Sequence, residues 1–235
     1  MRNDICSIPV KEIFEPMDGC PFCRMRNMLE ERMAVYTTGA AMMEPDVRVM
    51  TNKLGFCSTH FEQMLAVGSR LSISLILESL LEEVNKDLLN ISDPLKKQVK
   101  LAKERESSCF ICENVEKNMI HLIGATLAQW QKDEEFRDLY SKQTHICIKH
   151  YSKVLELAPK NIHKKLLPEF IQVSNKLSSE YMETVKKDVT HFCRMFDYRN
   201  KGGDFGNSKD AIERATEFLT TRKITGIANA QEKNR

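Results

Sequence analysis

The sequence predicts an all-α protein built from two related halves, each closed by a metal site. Three observations lead to this prediction: a duplicated pattern of cysteine and histidine, apolar residues that recur at helical spacing, and no convincing strand alternation. The pattern is CxxC followed by CxxH, and it occurs twice in the 235 residues. We therefore predict two pseudo-repeats of helical hairpins and one further helix at the C-terminal end.

The duplication is nearly exact in spacing. The CxxC element recurs after 89 residues and the CxxH element after 90, so one inserted residue relates the two copies. We expect the repeats to cover residues 1–92 and 93–203, with residues 204–235 forming a C-terminal helix and tail, all in one compact unit. The eight residues of the pattern are Cys20, Cys23, Cys57, His60, Cys109, Cys112, Cys147 and His150.

The first half is predicted to be helical throughout. Residues 24–43 carry apolar side chains at near-helical spacing with charges between them, and Pro45 restarts the chain as a short helix. The CxxH element should open another helix, because residues three apart share a helical face and can reach one ion. Residues 61–89, rich in Leu and Ile, predict one long core helix that the turn at 92–94 ends.

The second half repeats this order. Residues 113–131 carry a similar apolar stripe, and Lys132-Asp133 restarts the chain before a short helix. Apolar residues step by three or four across 169–198, which is typical of a helix-packing seam. A last helix is predicted over about 209–221, after the Gly202-Gly203 stop.

Three thiols and one imidazole in each copy are the ligand set of a closed tetrahedral zinc site. Zinc is the expected ion because it suits mixed thiolate and imidazole ligands best, so two Zn²⁺ ions are predicted. Pairing within each copy is the default expectation, with the ion holding the CxxC turn against the start of the CxxH helix. The spacing does not exclude an exchange of half-sites between the copies.

Several other cysteine, histidine and methionine residues are also potential site residues. Cys6 and Cys193 lie beside apolar residues and are expected to be buried thiols. His145, two residues before Cys147, is a possible competing ligand, although His150 keeps the register of the repeat. The 12 methionines fall mostly on apolar helical positions, which favours core packing over a copper or partner groove.

Charge and patterning limit the class of protein. The formal charge is +2, and two Cys₃His zinc sites at −1 each would bring it to about zero, which argues against a strongly basic nucleic-acid binder. Residues 1–19 lack the apolar run of a secretory signal, and residues 71–81, the most apolar stretch, are too short to span a bilayer. We therefore expect a cytoplasmic protein without membrane insertion, in which paired cysteines favour metal over disulfides.

The sequence is similar to a family of uncharacterised bacterial proteins that is known only as a domain of unknown function. The resemblance covers nearly the whole chain, and it implies a helical, zinc-binding protein with no known activity. It rests on both CxxC elements, both CxxH elements with the aromatic residues that follow them, and the C-terminal segment 211–219.

The leading hypothesis is a non-enzymatic protein with structural zinc that acts as an interaction or adaptor protein for a protein partner. No catalytic constellation accompanies the two closed metal sites. A thiol redox enzyme or zinc-linked redox sensor using Cys20 and Cys23 is the alternative, because Cys-Pro-Phe-Cys looks like the active-site tetrapeptide of glutaredoxins. Nucleic-acid binding through the basic residues of 96–105 is a further, less favoured alternative.

Overall fold

Eleven α-helices follow one another along the residues that the structure, a computed structural model, describes: 10–89, 93–200 and 202–221. No strand occurs among these residues, so the predicted all-α class is confirmed. The helices are α1 (Val10–Phe14), α2 (Pro21–Thr38), α3 (Pro45–Leu54), α4 (Ser58–Val67), α5 (Arg70–Leu88), α6 (Leu95–Ser107), α7 (Phe110–Lys132), α8 (Glu134–Ser141), α9 (Ile148–Asn161), α10 (Leu167–Met195) and α11 (Ala211–Thr220).

The helix order repeats as the duplicated pattern predicts. In each half a long helix begins within CxxC (α2 and α7), and a short helix comes next (α3 and α8). A helix then opens within CxxH (α4 and α9), and a longer one follows it (α5 and α10). The prediction of a single long helix over 61–89 is wrong, because this stretch forms two helices, α4 and α5. The chain breaks at Gly68, and the Ser69 side chain caps α5 by accepting the backbone N–H of Ser72 at 3.0 Å.

The described residues form two compact units. The first unit covers Arg26–His121, and the second joins the residues up to Met25 with those from Leu122 onward. Each unit therefore takes residues from both predicted repeats. The division at 92 and 203 describes the duplication in the sequence and stays a prediction.

The first unit is held by aliphatic side chains. Helix α3 packs on α5, and α5 also contacts α4 and α6. Met33, Met64, Ile73 and Ile76 are each at most 4% exposed, whereas Met43 is 71% exposed, so only some of the methionines pack in the core as expected. Helix α6, by contrast, buries none of its residues fully.

The second unit has an aromatic core. The ring of Phe14 lies 5.0 Å from that of Phe136 and 5.9 Å from that of Tyr140, while Phe170 contacts both Tyr140 and Trp130. The Tyr140 hydroxyl and the Ser174 hydroxyl are 2.9 Å apart and buried, so the polar end of the tyrosine is satisfied. The predicted C-terminal helix is present as α11, which packs on α9 and α10.

Candidate metal centres

The four half-sites share one local geometry. In each, the first cysteine immediately precedes a helix, and its carbonyl oxygen accepts the first backbone hydrogen bond of that helix, at 2.8–3.2 Å. The second ligand is three residues on, in the first turn. Both side chains therefore stand at a helix N-terminus, where unpaired N–H groups and the helix dipole favour a negatively charged thiolate.

The Cys20 site consists of Cys20, Cys23, Cys147 and His150, and it lies in the second unit. The four potential ligand atoms lie within 4.8 Å of one another. His150 Nδ1 is 3.2 Å from the Cys147 sulfur, 3.4 Å from the Cys23 sulfur and 3.8 Å from the Cys20 sulfur. The Cys23 and Cys147 sulfurs are 3.5 Å apart.

The Cys57 site consists of Cys57, His60, Cys109 and Cys112, and it lies in the first unit. His60 Nδ1 is 3.1 Å from the Cys57 sulfur and 3.3 Å from both the Cys109 and the Cys112 sulfurs. The sulfurs of Cys57 and Cys112 are 3.9 Å apart. The backbone N–H of Cys112 also points at the Cys109 sulfur, at 3.4 Å.

These distances match the edges of a zinc tetrahedron. Bonds of about 2.3 Å to sulfur and 2.0–2.1 Å to nitrogen place two sulfurs roughly 3.8 Å apart and a sulfur and a nitrogen roughly 3.5 Å apart. A disulfide would need sulfurs at about 2.05 Å, and the six pattern cysteines are all free thiols. Each group therefore has the composition and the size to hold one metal ion.

The pairing of the half-sites corrects the default expectation. Pairing within each copy is wrong: the first CxxC joins the second CxxH, and the first CxxH joins the second CxxC. The exchange between copies, which the spacing left open, is the arrangement found. Two Cys₃His groups are confirmed, and each is assembled from both halves of the duplication.

In the first unit, hydrogen bonds hold the two half-sites of the Cys57 site together. The Phe110 backbone N–H donates to the Gly55 carbonyl at 2.9 Å, and the Ser108 hydroxyl donates to the Leu54 carbonyl at 2.7 Å. Gly55 takes a backbone conformation with φ +60° and ψ −158°, which favours glycine and turns the chain from the end of α3 toward Cys57.

In the second unit, other hydrogen bonds hold the two half-sites of the Cys20 site together. Pro21, the counterpart of Phe110, has no backbone N–H and cannot donate the equivalent bond. The Gln143 side chain donates to the Phe14 carbonyl at 2.8 Å, and the Thr144 hydroxyl donates to the Met17 carbonyl at 2.5 Å. The segment before the first CxxC is thereby fixed to the segment before the second CxxH.

Burial disfavours the thiolate form of one cysteine in each site. Burial raises the pKa of Cys20 and of Cys112 to about 12 in each case. Cys147 behaves in the opposite way, because hydrogen bonds from the Cys20 and Cys23 thiols lower its pKa. The same bond to Cys147 raises the pKa of Cys23. A bound dication would supply the missing charge and displace the remaining protons.

The two sites differ in exposure and in what surrounds the histidine. Cys57 and Cys112 are both half-buried, whereas Cys23 is the one half-buried cysteine of the Cys20 site. His150 lies beside the Phe22 ring, with ring centroids 6.2 Å apart. His60 instead has a carboxylate near its outer nitrogen: Glu30 Oε1 is 3.9 Å from Nε2. The sequence does not single out Glu30, because nothing in the spacing links α2 to the CxxH helix.

The remaining candidate residues lie outside both clusters. His145 stacks on Tyr181, with ring centroids 3.8 Å apart, and also contacts Phe218 of α11, so it packs rather than competes as a ligand. The expectation of a buried Cys193 is wrong, because this thiol is exposed near the end of α10. Cys6 lies outside the described residues. Within the described helices, none combines the length and apolar character needed to cross a bilayer.

The comparison with known families gives a match over nearly the whole chain. The model of a family of unknown function, DUF6062, matches residues 1–226. The chain belongs to DUF6062. The resemblance to an uncharacterised family is thereby confirmed, and it brings no activity with it. No curated protein and no solved structure matches this DUF6062 chain.

Proposed function

We propose that this DUF6062 protein is a non-enzymatic zinc protein in which one Zn²⁺ ion stabilises each unit. The observation that carries the proposal is the convergence of eight ligands, from four helix starts, into two groups of tetrahedral size. Four strong ligands close each shell, whereas a catalytic zinc keeps a position open for water or substrate. Zinc is the proposed ion because three thiolates and one imidazole suit it best.

The role proposed for the zinc ions is structural. Each would join helix starts that are far apart in sequence: Cys23 and Cys147 are 124 residues apart, and His60 and Cys109 are 49. Since such cages do not exist in the unfolded chain, the binding free energy becomes folding free energy. Ligand thiols of this kind stay reduced in the cytoplasm, which is the proposed location.

We further propose that the protein acts as an interaction or adaptor protein for a protein partner. The first unit supports this, because several large apolar side chains stand in solvent there. Leu95 is 75% exposed, Met43 is 71% and Leu71 is 68%. Exposed apolar side chains mark an interaction site where they form a contiguous patch, so these residues are the first to test for partner binding.

The geometry favours neither alternative hypothesis. A reactive CxxC needs an accessible first thiol, and Cys20 is 5% exposed. Three of the five basic residues on α6 have acidic neighbours: Lys97 pairs with Asp93, Lys100 with Glu104 and Arg105 with Asp87, at 2.9–3.7 Å. These ion pairs partly neutralise the positive charge of α6, which weakens the case for binding nucleic-acid phosphates there.

Native mass spectrometry on protein purified under reducing conditions tests the proposal, together with a count of reactive thiols before and after chelation. Two zinc ions are expected, with six additional thiols becoming reactive on chelation. Zero or one ion, with Cys20 and Cys23 already reactive or joined, would contradict it. So would reproducible turnover that depends on either of these two thiols rather than on folding.

A further inference from the structure

We propose that Glu30 is the outer carboxylate of the Cys57 site, which orients the His60 imidazole and makes the two metal sites unequal. The inference rests on the proposed function, namely that both clusters hold zinc. It adds a positioning residue and a difference in zinc affinity that the duplicated ligand pattern does not contain.

The His60 imidazole is oriented with one ring nitrogen toward the three sulfurs. Its Nδ1 atom lies within 3.3 Å of three sulfurs, so this nitrogen faces the ion and Nε2 faces away. Nε2 is buried, and Glu30 Oε1 is 3.9 Å from it. An N–H···O bond is about 2.9 Å long, so a shift of about 1 Å on metal binding would form one. A carboxylate in this place fixes the tautomer and makes the imidazole a better ligand.

Two side-chain hydrogen bonds fix the position of the Glu30 carboxylate. Arg26, one turn earlier on α2, donates from Nε to Oε1 at 2.9 Å. Gln63, three residues after His60 on α4, donates from Nε2 to Oε2 at 3.3 Å. The Glu30 side chain is 15% exposed, and the Arg26 guanidinium balances its charge. The carboxylate is therefore fixed between the helix that supplies it and the helix that supplies the ligand.

The duplication itself provides the comparison. At the repeat spacings of 89 and 90 residues, Arg26, Glu30 and Gln63 correspond to Val115, Met119 and Lys153 in the second copy. The second copy thus lacks the whole group. Nε2 of His150 is also buried, but among the described residues no carboxylate lies within ion-pair distance of it, whereas Glu30 lies near Nε2 of His60.

Replacing Glu30 by Met, the residue at the duplicated position, tests the role in the full-length zinc-loaded chain. Loss of such an outer partner lowers metal affinity about 10- to 100-fold. We expect a loss of that size at the Cys57 site and a change below about twofold at the Cys20 site. Competition with a zinc chelator measures both affinities, and alkylation followed by peptide mapping tells which cysteines each lost ion had covered.

Two further variants and one spectrum separate positioning from general stability. Glu30→Gln keeps an acceptor and should recover part of the affinity, while Glu31→Met removes an exposed neighbouring carboxylate and should change neither site. In protein labelled with ¹⁵N-histidine, the His60 Nε2 proton should be slow to exchange in the natural chain and fast in Glu30→Met.

Equal losses at both sites in Glu30→Met, an effect of Glu31→Met as large as that of Glu30→Met, or an unchanged His60 signal would each overturn the role of Glu30. Failure of the proposed function is distinguishable from these results, since the natural chain itself would then hold no zinc at one or both sites.

Discussion

Replacement of Cys147 by Ser should release thiols that lie in the other half of the sequence. In the structure, Cys147 shares its cluster with Cys20 and Cys23, 124 residues from the nearer of them. Serine is a weak zinc ligand, so the cross-link between the two helix starts should be lost. Under crossed pairing, Cys20 and Cys23 should become reactive while Cys109 and Cys112 stay protected.

The magnitude follows from the length of chain that the ion closes. Applying the loop-closure relation used for disulfides, a cross-link over 124 residues constrains the unfolded chain by about 5 kcal/mol, and one over 49 residues by about 4 kcal/mol. A domain is stable by only about 5–15 kcal/mol in total. Loss of the Cys20 site should therefore leave the second unit largely or wholly unfolded at 25 °C.

A short pulse of N-ethylmaleimide under native conditions, followed by peptide mapping, measures which thiols react. Cys193→Ser is the matched control, because it removes an exposed thiol outside both clusters and should leave two zinc ions bound. The reciprocal variant, Cys57→Ser, should expose Cys109 and Cys112. If Cys147→Ser instead released Cys109 and Cys112 and spared Cys20 and Cys23, the crossed pairing would be refuted.

Four further results are expected. Tyr140→Phe should cost about 1–3 kcal/mol in urea unfolding by leaving the buried Ser174 hydroxyl unpaired, and adding Ser174→Ala should recover part of this loss; additive losses would exclude the bond. Gly55→Ala should cost about 1–3 kcal/mol and loosen zinc at the Cys57 site, because the φ of +60° strains any other residue; an unchanged unfolding midpoint would contradict this. A fragment of residues 1–92 should bind zinc weakly by native mass spectrometry, since its CxxC and CxxH belong to different sites; one tightly held ion would speak against this. A fluorescence titration with duplex DNA should show no salt-dependent binding through residues 96–105, and a clear salt slope would revive that hypothesis.

The ligands could be predicted from the sequence because their chemistry is local. A cysteine before a helix and a second ligand three residues later form a half-site wherever the helix begins, and all four helices begin there. The pairing could not be predicted, because it depends on how far the chain travels between half-sites. Helix α2 carries the chain about 27 Å away from the first CxxC over its 18 residues. The 10 residues of α3 span only about 15 Å, which is too short to bring the following CxxH back to that CxxC.

Other features depended on contacts that spacing does not report. The break at Gly68 combines a helix-ending glycine with a capping serine, a signal that was present but weaker than the run of Leu and Ile around it. Cys193 is flanked by aromatic residues, yet it falls on the solvent side of α10. Glu30 gains its significance only from the packing of α2 against α4, which no periodicity in either helix reveals.

The crossed pairing separates the unit of duplication from the unit of folding. Each copy supplies one CxxC and one CxxH, but neither copy closes a site alone, so the metal sites need the complete duplication. Contacts this distant in sequence are slow to form, because the chain entropy is lost before the ligands meet. A change confined to one copy acts on both sites, since each copy contributes half of each. The two candidate metal sites are therefore expected to constrain the evolution of both copies together, while residues outside the ligand set, such as Glu30 and its counterpart Met119, are free to make the sites different.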